Sequence, residues 1–153
     1  MDIDFKFENN RLNARVSVII YNKNKSKVLL FRVDDGREYY MLPGGRIHWF
    51  EDSRMAIKRE IEEEVGFDLD YELYSIQENF LDKNGENIMQ YCFCYKAIYD
   101  GEIEEEFKSK EKKNEIFCWI DIDKLGDYKI LPISSYELIR KDDVGFNHII
   151  ERS

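Results

Sequence analysis

Apolar and polar positions alternate along residues 11–21, where Val16, Val18 and Ile20 recur at every second place, and this period of two predicts a strand with one buried face. Beyond a polar Asn/Lys turn, residues 27–32 (KVLLFR) predict a second strand that completes a hairpin. Residues 39–42 predict a third, short strand. Pro43, Gly44 and Gly45 are expected to end it in a loop, because proline has no N–H to donate and the glycines permit a sharp turn. From residue 52 to residue 65 the pattern changes to good helix formers without Gly or Pro. Asp52 and Ser53 can act as N-caps and Gly66 as the stop, so a helix is predicted there. Residues 73–80 and 88–99, rich in aromatic and β-branched side chains, predict two further strands across the turn DKNGEN. Residues 100–114 are too charged to pack as core and predict a mobile loop. Strand character resumes at 116–120, and residues 134–141 predict a last helix after Pro132. Strands on both sides of one central helix predict the α+β class and not a doubly wound parallel sheet.

Composition narrows what such a fold can do. A chain of 153 residues, 43% hydrophobic and 14% aromatic, is one ordinary domain able to bury its own core. No apolar run is long enough to cross a bilayer, and MDIDFKFENN lacks the features of a signal peptide, so a cytoplasmic location without membrane partners is expected. Cys92, Cys94 and Cys118 have neither the even count of a disulfide framework nor zinc-site spacing, and are read as free core thiols. The net charge of −9 opposes binding to duplex nucleic acid. A small phosphorylated partner stays compatible with that charge if a divalent cation reverses the local field. A homodimer is compatible as well.

The 52–65 helix offers such a cation site. At about 100° per residue, Glu60, Glu63 and Glu64 share an arc of about 100°, beside an apolar stripe of Ile57, Ile61 and Val65. Carboxylates at i, i+3 and i+4 repel one another by a few tenths of a kcal/mol per pair, which suits a bound cation, although a Glu-rich face in so acidic a chain is ordinarily just solvated. The wider spacing decides between these readings. Gly45, Glu51, Arg59, Glu60, Ile61, Glu63, Glu64, Gly66 and Phe67 fit G-x5-E-x7-R-E-U-x-E-E-x-G-U, with U bulky and apolar, and no defining position is missed. Chance would produce this match on the order of once in a million such chains. No P-loop lysine motif and no EF-hand ligand set competes with it.

This pattern resembles the Nudix box, and the chain is identified by it as similar to the Nudix hydrolases. The resemblance implies a Nudix-like α/β/α sandwich with a mixed sheet. It also implies Mg²⁺ or Mn²⁺ held by Glu60, Glu63, Glu64 and the Gly44 carbonyl, oxygen donors of the kind a hard cation takes. Arg59 is expected to orient and neutralise neighbouring carboxylates, including Glu51, a role a plain surface ion pair also fits. Hydrolysis would proceed by water attack at phosphorus in a nucleoside diphosphate derivative. Glu60 is the first choice of base, with Glu64 and the loop residues Glu111 and Glu115 as alternatives.

Arg46, Tyr40, Trp49 and Phe50 are the candidates for substrate contact. Tyr39 and Tyr40 should point to opposite faces, so only one can face a pocket. Phe50 departs from the family pattern, which commonly has a small residue before the first box glutamate. Trp49 and Phe50 can stack on a base or cover local core, of which cover is the commoner use of a loop aromatic, while His48 can meet phosphate or be an ordinary surface histidine. The proline after the box typical of ADP-ribose subgroups is missing, as are the dinucleotide-polyphosphate tyrosine and the NADH signature. Elimination leaves a nucleoside triphosphate, normal or oxidised, ahead of a nucleotide sugar. A non-catalytic nucleotide-binding module is the rival, but it would be expected to lose box glutamates.

Overall fold

A computed structural model describes residues 1–142 and 145–153. The strands are β1 (Asp4–Phe7), β2 (Asn10–Asn22), β3 (Lys27–Val33), β4 (Gly44–Arg46), β5 (Glu72–Lys83), β6 (Glu86–Tyr99), β7 (Glu106–Lys108), β8 (Glu115–Asp121) and β9 (Asn147–Arg152). Two α-helices, α1 (Ser53–Glu64) and α2 (Ser134–Lys141), accompany a 3₁₀ turn at Ile122–Asp127. One mixed sheet runs β7-β8-β3-β2-β6-β5-β9, with β1 and β4 also paired to β2. The β2–β6 and β5–β9 pairs are parallel and the others antiparallel.

Alternation along the strands divides the core in two. Val16, Val18 and Ile20 of β2 pack with Ile57, Ile61 and Val65 under α1. Ile19 and Tyr21 point the other way, joining Leu30, Cys94, Leu138 and Ile139 beneath α2. The sheet is therefore sandwiched between helices, as the box resemblance implied. The three cysteines are free and buried.

The site is positioned by a gap within this sheet. β2 and β3 share one register pair, Tyr21 with Val28, and then diverge. Residues 41–46 fill the wedge: Met41 and Phe31 exchange backbone hydrogen bonds of 2.9 Å, and the Val18 N–H donates to the Pro43 carbonyl at 3.0 Å. β4 then pairs with residues 15–17 of β2. A Cβ on Gly44 would fall 2.0 Å from the Val16 carbonyl oxygen, so only glycine allows this approach.

Several expectations are corrected. Residues 39–42 form isolated bridges instead of a strand, and the strand lies at Gly44–Arg46, where a loop was expected. The reason is backbone pairing with β2, which glycines satisfy without any side-chain signature. The 100–114 segment is not all loop, because Phe107 stacks on Phe117 with centroids 5.5 Å apart and brings β7 onto the sheet edge. DKNGEN is mostly strand, its turn reduced to Asn84 and Gly85, both at positive φ (54° and 77°), as a tight hairpin turn with the strands' own twist requires. β1 and β9 were not anticipated.

Candidate active site

Helix α1 starts where the Asp52 side chain accepts the Met55 N–H at 2.8 Å. It stops where the Val65 and Gly66 N–H groups both reach the Ile61 carbonyl, with Gly66 at φ 75°. Burial of Ile57 and Ile61 against the sheet fixes its rotation, which carries Glu60 to β4. There a Cβ on Gly45 would lie 2.4 Å from the Glu60 carboxyl carbon, so the missing side chain is what lets that carboxylate rest on the strand.

Arg59 ties the loop and helix together. Its Nε and Nη2 donate to the two Glu51 oxygens at 2.8 and 2.9 Å, Nη1 to Glu60 Oε1 at 2.9 Å, and Nη2 to the Arg46 carbonyl at 3.1 Å. Glu63 Oε2 lies 3.5 Å from the same guanidinium. Glu51 also accepts the His48 N–H at 3.0 Å. Its carboxyl is held down to about 2, chiefly by the Arg59 hydrogen bonds, against the opposing effect of burial.

Glu64 is fully buried, and neither carboxylate oxygen has a hydrogen-bond partner. Lys112 Nζ stands 3.3 Å from Glu64 Oε1 and 3.6 Å from Oε1 of buried Glu115. Burial first, and then the Glu115 charge, push Glu64 up to about 8 despite Lys112. Glu115 is raised as well, mainly by burial. Glu63 is raised by burial and by the nearby Glu111.

A cavity of about 370 Å³ is lined by Arg15, Gly45, Arg46, Arg59, Glu60 and Glu63, with Asp2, His48, Glu111 and Lys112 at its sides. Among the described residues, no three acidic, histidine or cysteine side chains stand close enough to ligate one ion as placed. Arg59 and Lys112 stand among the carboxylates. The donors nevertheless suit a hard cation: buried carboxylate oxygens at Glu64 and Glu115 lack hydrogen-bond partners, and Glu60 lies in a cradle that a Cβ would fill.

The box residues Arg59, Glu60 and Glu63 thus meet Arg46 and Glu111 around this cavity, with Glu51 hydrogen-bonded to Arg59, while Glu64 and Glu115 sit beside it behind Lys112. Tyr40 does not line it, and packs against Tyr128 at 5.3 Å on the rim of the second core. Trp49 and Phe50 do not cover core; they are 54% and 95% exposed. A turn closed by the Glu51 N–H on the His48 carbonyl places Phe50 at φ 66°, which turns its ring outward, and the Trp49 ring meets those of Phe5 and Phe50 edge-on. His48 pairs with Asp2 at 3.3 Å.

Sequence reasoning missed Arg15, whose guanidinium makes no ion pair or hydrogen bond among the described residues while lining the cavity. The signal was there: Asn13, Arg15 and Ser17 are polar at every second place of a strand whose other face is core. Lys112 carried no such signal within a run of lysines.

No curated protein matches the sequence. Solved structures do. The mMutator MutT protein from Bacillus halodurans superposes with TM-score 0.63 at 22% identity over 84% of this chain and 80% of that one. The MutT NUDIX hydrolase from Burkholderia pseudomallei gives 0.65 at 21% over 86% and 98%. The E. coli dihydroneopterin triphosphate pyrophosphohydrolase gives 0.68 at 16% over 84% and 93%. These likenesses establish the fold; with the NUDIX domain model matching residues 11–141, the chain belongs to the Nudix family of pyrophosphohydrolases acting on nucleoside diphosphate derivatives.

Proposed function

We propose that the chain hydrolyses a phosphoanhydride bond of a nucleoside triphosphate, normal or oxidised, by water attack at phosphorus, with Mg²⁺ or Mn²⁺ held by Glu60, Glu63, Glu64 and the Gly44 carbonyl. The observation that carries this reading is the Arg15 guanidinium lining one cavity with Glu60 and Glu63, beside which the unsatisfied carboxylate oxygens of Glu64 lie behind Lys112. When bound, the divalent ion supplies charge neutralisation and a more acidic water.

The chain's own residues do the rest. Arg59 locks Glu51 and orients Glu60 through one oxygen, which leaves Glu60 Oε2 free of that hydrogen bond to accept the water's proton. Arg15 and Arg46, register partners on β2 and β4, hold the phosphates. Exposed Trp49, next to the cavity residue His48, offers a face for the base; nucleotide-dependent quenching of its fluorescence, absent in Trp49→Leu, tests that contact.

Incubation with nucleoside triphosphates, nucleotide sugars and other diphosphate derivatives, with Mg²⁺ or Mn²⁺ and with product masses read in ¹⁸O-water, tests the whole reading. The label is expected on a phosphate product of a triphosphate. Label on a sugar carbon, or turnover of none of these compounds, would overturn the proposal. Glu60→Gln is expected to lower kcat by about 10²–10⁴-fold and Glu111→Gln by less than about threefold. The reverse ranking would move the base to the 109–114 segment.

A further inference from the structure

The carboxylates of Glu64 and Glu115 are both buried, and three of their four oxygens lack a hydrogen-bond partner. Two buried negative charges without compensation are costly, and the positive charge between them is the Lys112 ammonium, 3.3 Å from one and 3.6 Å from the other. The Lys112 side chain is itself 53% exposed, so it approaches from solvent and can withdraw without leaving a hole in the core. Its backbone is fastened nearby. The Lys112 N–H donates to Ser109 Oγ at 3.1 Å, and the Lys110 N–H donates to the Glu64 carbonyl at 2.8 Å, so the segment docks on the C-terminal end of α1. Among the described residues, Lys112 thus makes the ion pair of Glu64, whereas Glu51, Glu60 and Glu63 pair with Arg59.

We propose that Lys112 is the resident counter-cation of the metal-free site, and that a divalent ion binds by exchange with its ammonium. The proposal rests on the reading of Glu64 as an ion ligand. Charge explains the direction: with both carboxylates ionised, Lys112 leaves the pair one net negative charge, whereas a divalent ion offers two positive ones and uses oxygens the lysine does not satisfy. Lys112 is in this sense a positioning residue, setting the ion concentration at which the site loads. Competition between two cations for one carboxylate is reciprocal, so the ion must in turn release the lysine.

Isothermal titration of the substrate-free protein with Mg²⁺ and Mn²⁺ reads the first half of this exchange. Lys112→Met and Lys112→Gln are expected to bind the ion at least about fivefold more tightly than the wild type, while Lys112→Arg stays within about twofold. A lysine that merely anchors its segment predicts the opposite, and unchanged or weaker affinity in both neutral variants overturns the proposal. Glu64→Gln separates the two layers. If it binds ions as the wild type does, the ligand assignment fails and the exchange with it; if it loses affinity while the neutral Lys112 variants do not gain any, only the exchange fails. Amine labelling of the wild-type protein reads the second half and requires no variant to fold. Saturating Mg²⁺ is expected to raise the labelling rate of Lys112 severalfold and to leave exposed Lys124 unchanged, whereas equal Lys112 rates with and without the ion would overturn the proposal.

Discussion

At the scale of single residues, the site depends on which charges are already committed. Arg59 is spent on Glu51, Glu60 and the Arg46 carbonyl, and Arg46 itself pairs with Asp4 at 3.1 Å. Among the described residues Arg15 makes no ion pair or hydrogen bond and acts on Asp4 only at longer range, and a guanidinium so placed at the wall of an acidic cavity is matched to an anionic ligand. Arg15→Gln is accordingly expected to raise KM for the triphosphate about tenfold or more, with kcat within a few-fold and Mg²⁺ affinity unchanged, because one charge-assisted contact is worth about 1.5–3 kcal/mol. A fall in kcat at constant KM would instead place Arg15 on charge that develops only in the transition state.

At the scale of elements, β4 positions the chemistry through what it lacks. Gly45→Ala puts a Cβ 2.4 Å from the Glu60 carboxyl carbon, and the carboxylate, not the paired strand, is the part able to move. We expect kcat to fall at least about tenfold while the melting temperature drops by only a few degrees, since displacing a catalytic group by about 1 Å is enough for such a loss. Unaltered kcat would show that Glu60 works from another position. β4 also marks the limit of what could be foreseen. Helix α1 was legible because its cap, its apolar stripe and its terminal glycine are all side-chain signals, and the box spacing brought Glu51, Arg59, Glu60 and Glu63 to one place. β4 is legible only through the backbone of β2, and β7 only through Phe107 among charges. Phe50 was misjudged for a related reason: the small residue common at that place serves a turn that needs positive φ, and a bulky residue there keeps the turn by projecting into solvent.

At the scale of the molecule, Glu51 and Glu64, the two most strongly perturbed carboxylates of the box, shape stability in opposite directions. Glu51 titrates near 2 in the folded protein against an ordinary 4.5, so the stability it contributes is present above pH 4.5 and is lost as the pH falls toward 2. Glu64 is raised from 4.5 to about 8; between those values the folded chain keeps a proton the unfolded chain has released, so stability declines with rising pH until about pH 8 and is level beyond. The bound is roughly 3 kcal/mol for Glu51 and roughly 5 kcal/mol for Glu64, at 1.36 kcal/mol per unit. Chelated wild-type protein is therefore expected to be most stable near pH 5 and to lose melting temperature toward both pH 3 and pH 8. Glu64→Gln, which cannot ionise, should remove most of the loss on the alkaline side, leaving the smaller share of the raised Glu63 and Glu115, and keep the acid limb. Mg²⁺ favours the ionised carboxylate, so it should raise the wild-type melting temperature more at pH 8 than at pH 5 and do little for Glu64→Gln at either. Melting curves of the two proteins at these three pH values, with chelator and with excess Mg²⁺, check all of this. An alkaline loss of undiminished size in Glu64→Gln would assign it to another group and remove Glu64 as the link between ion binding and fold stability.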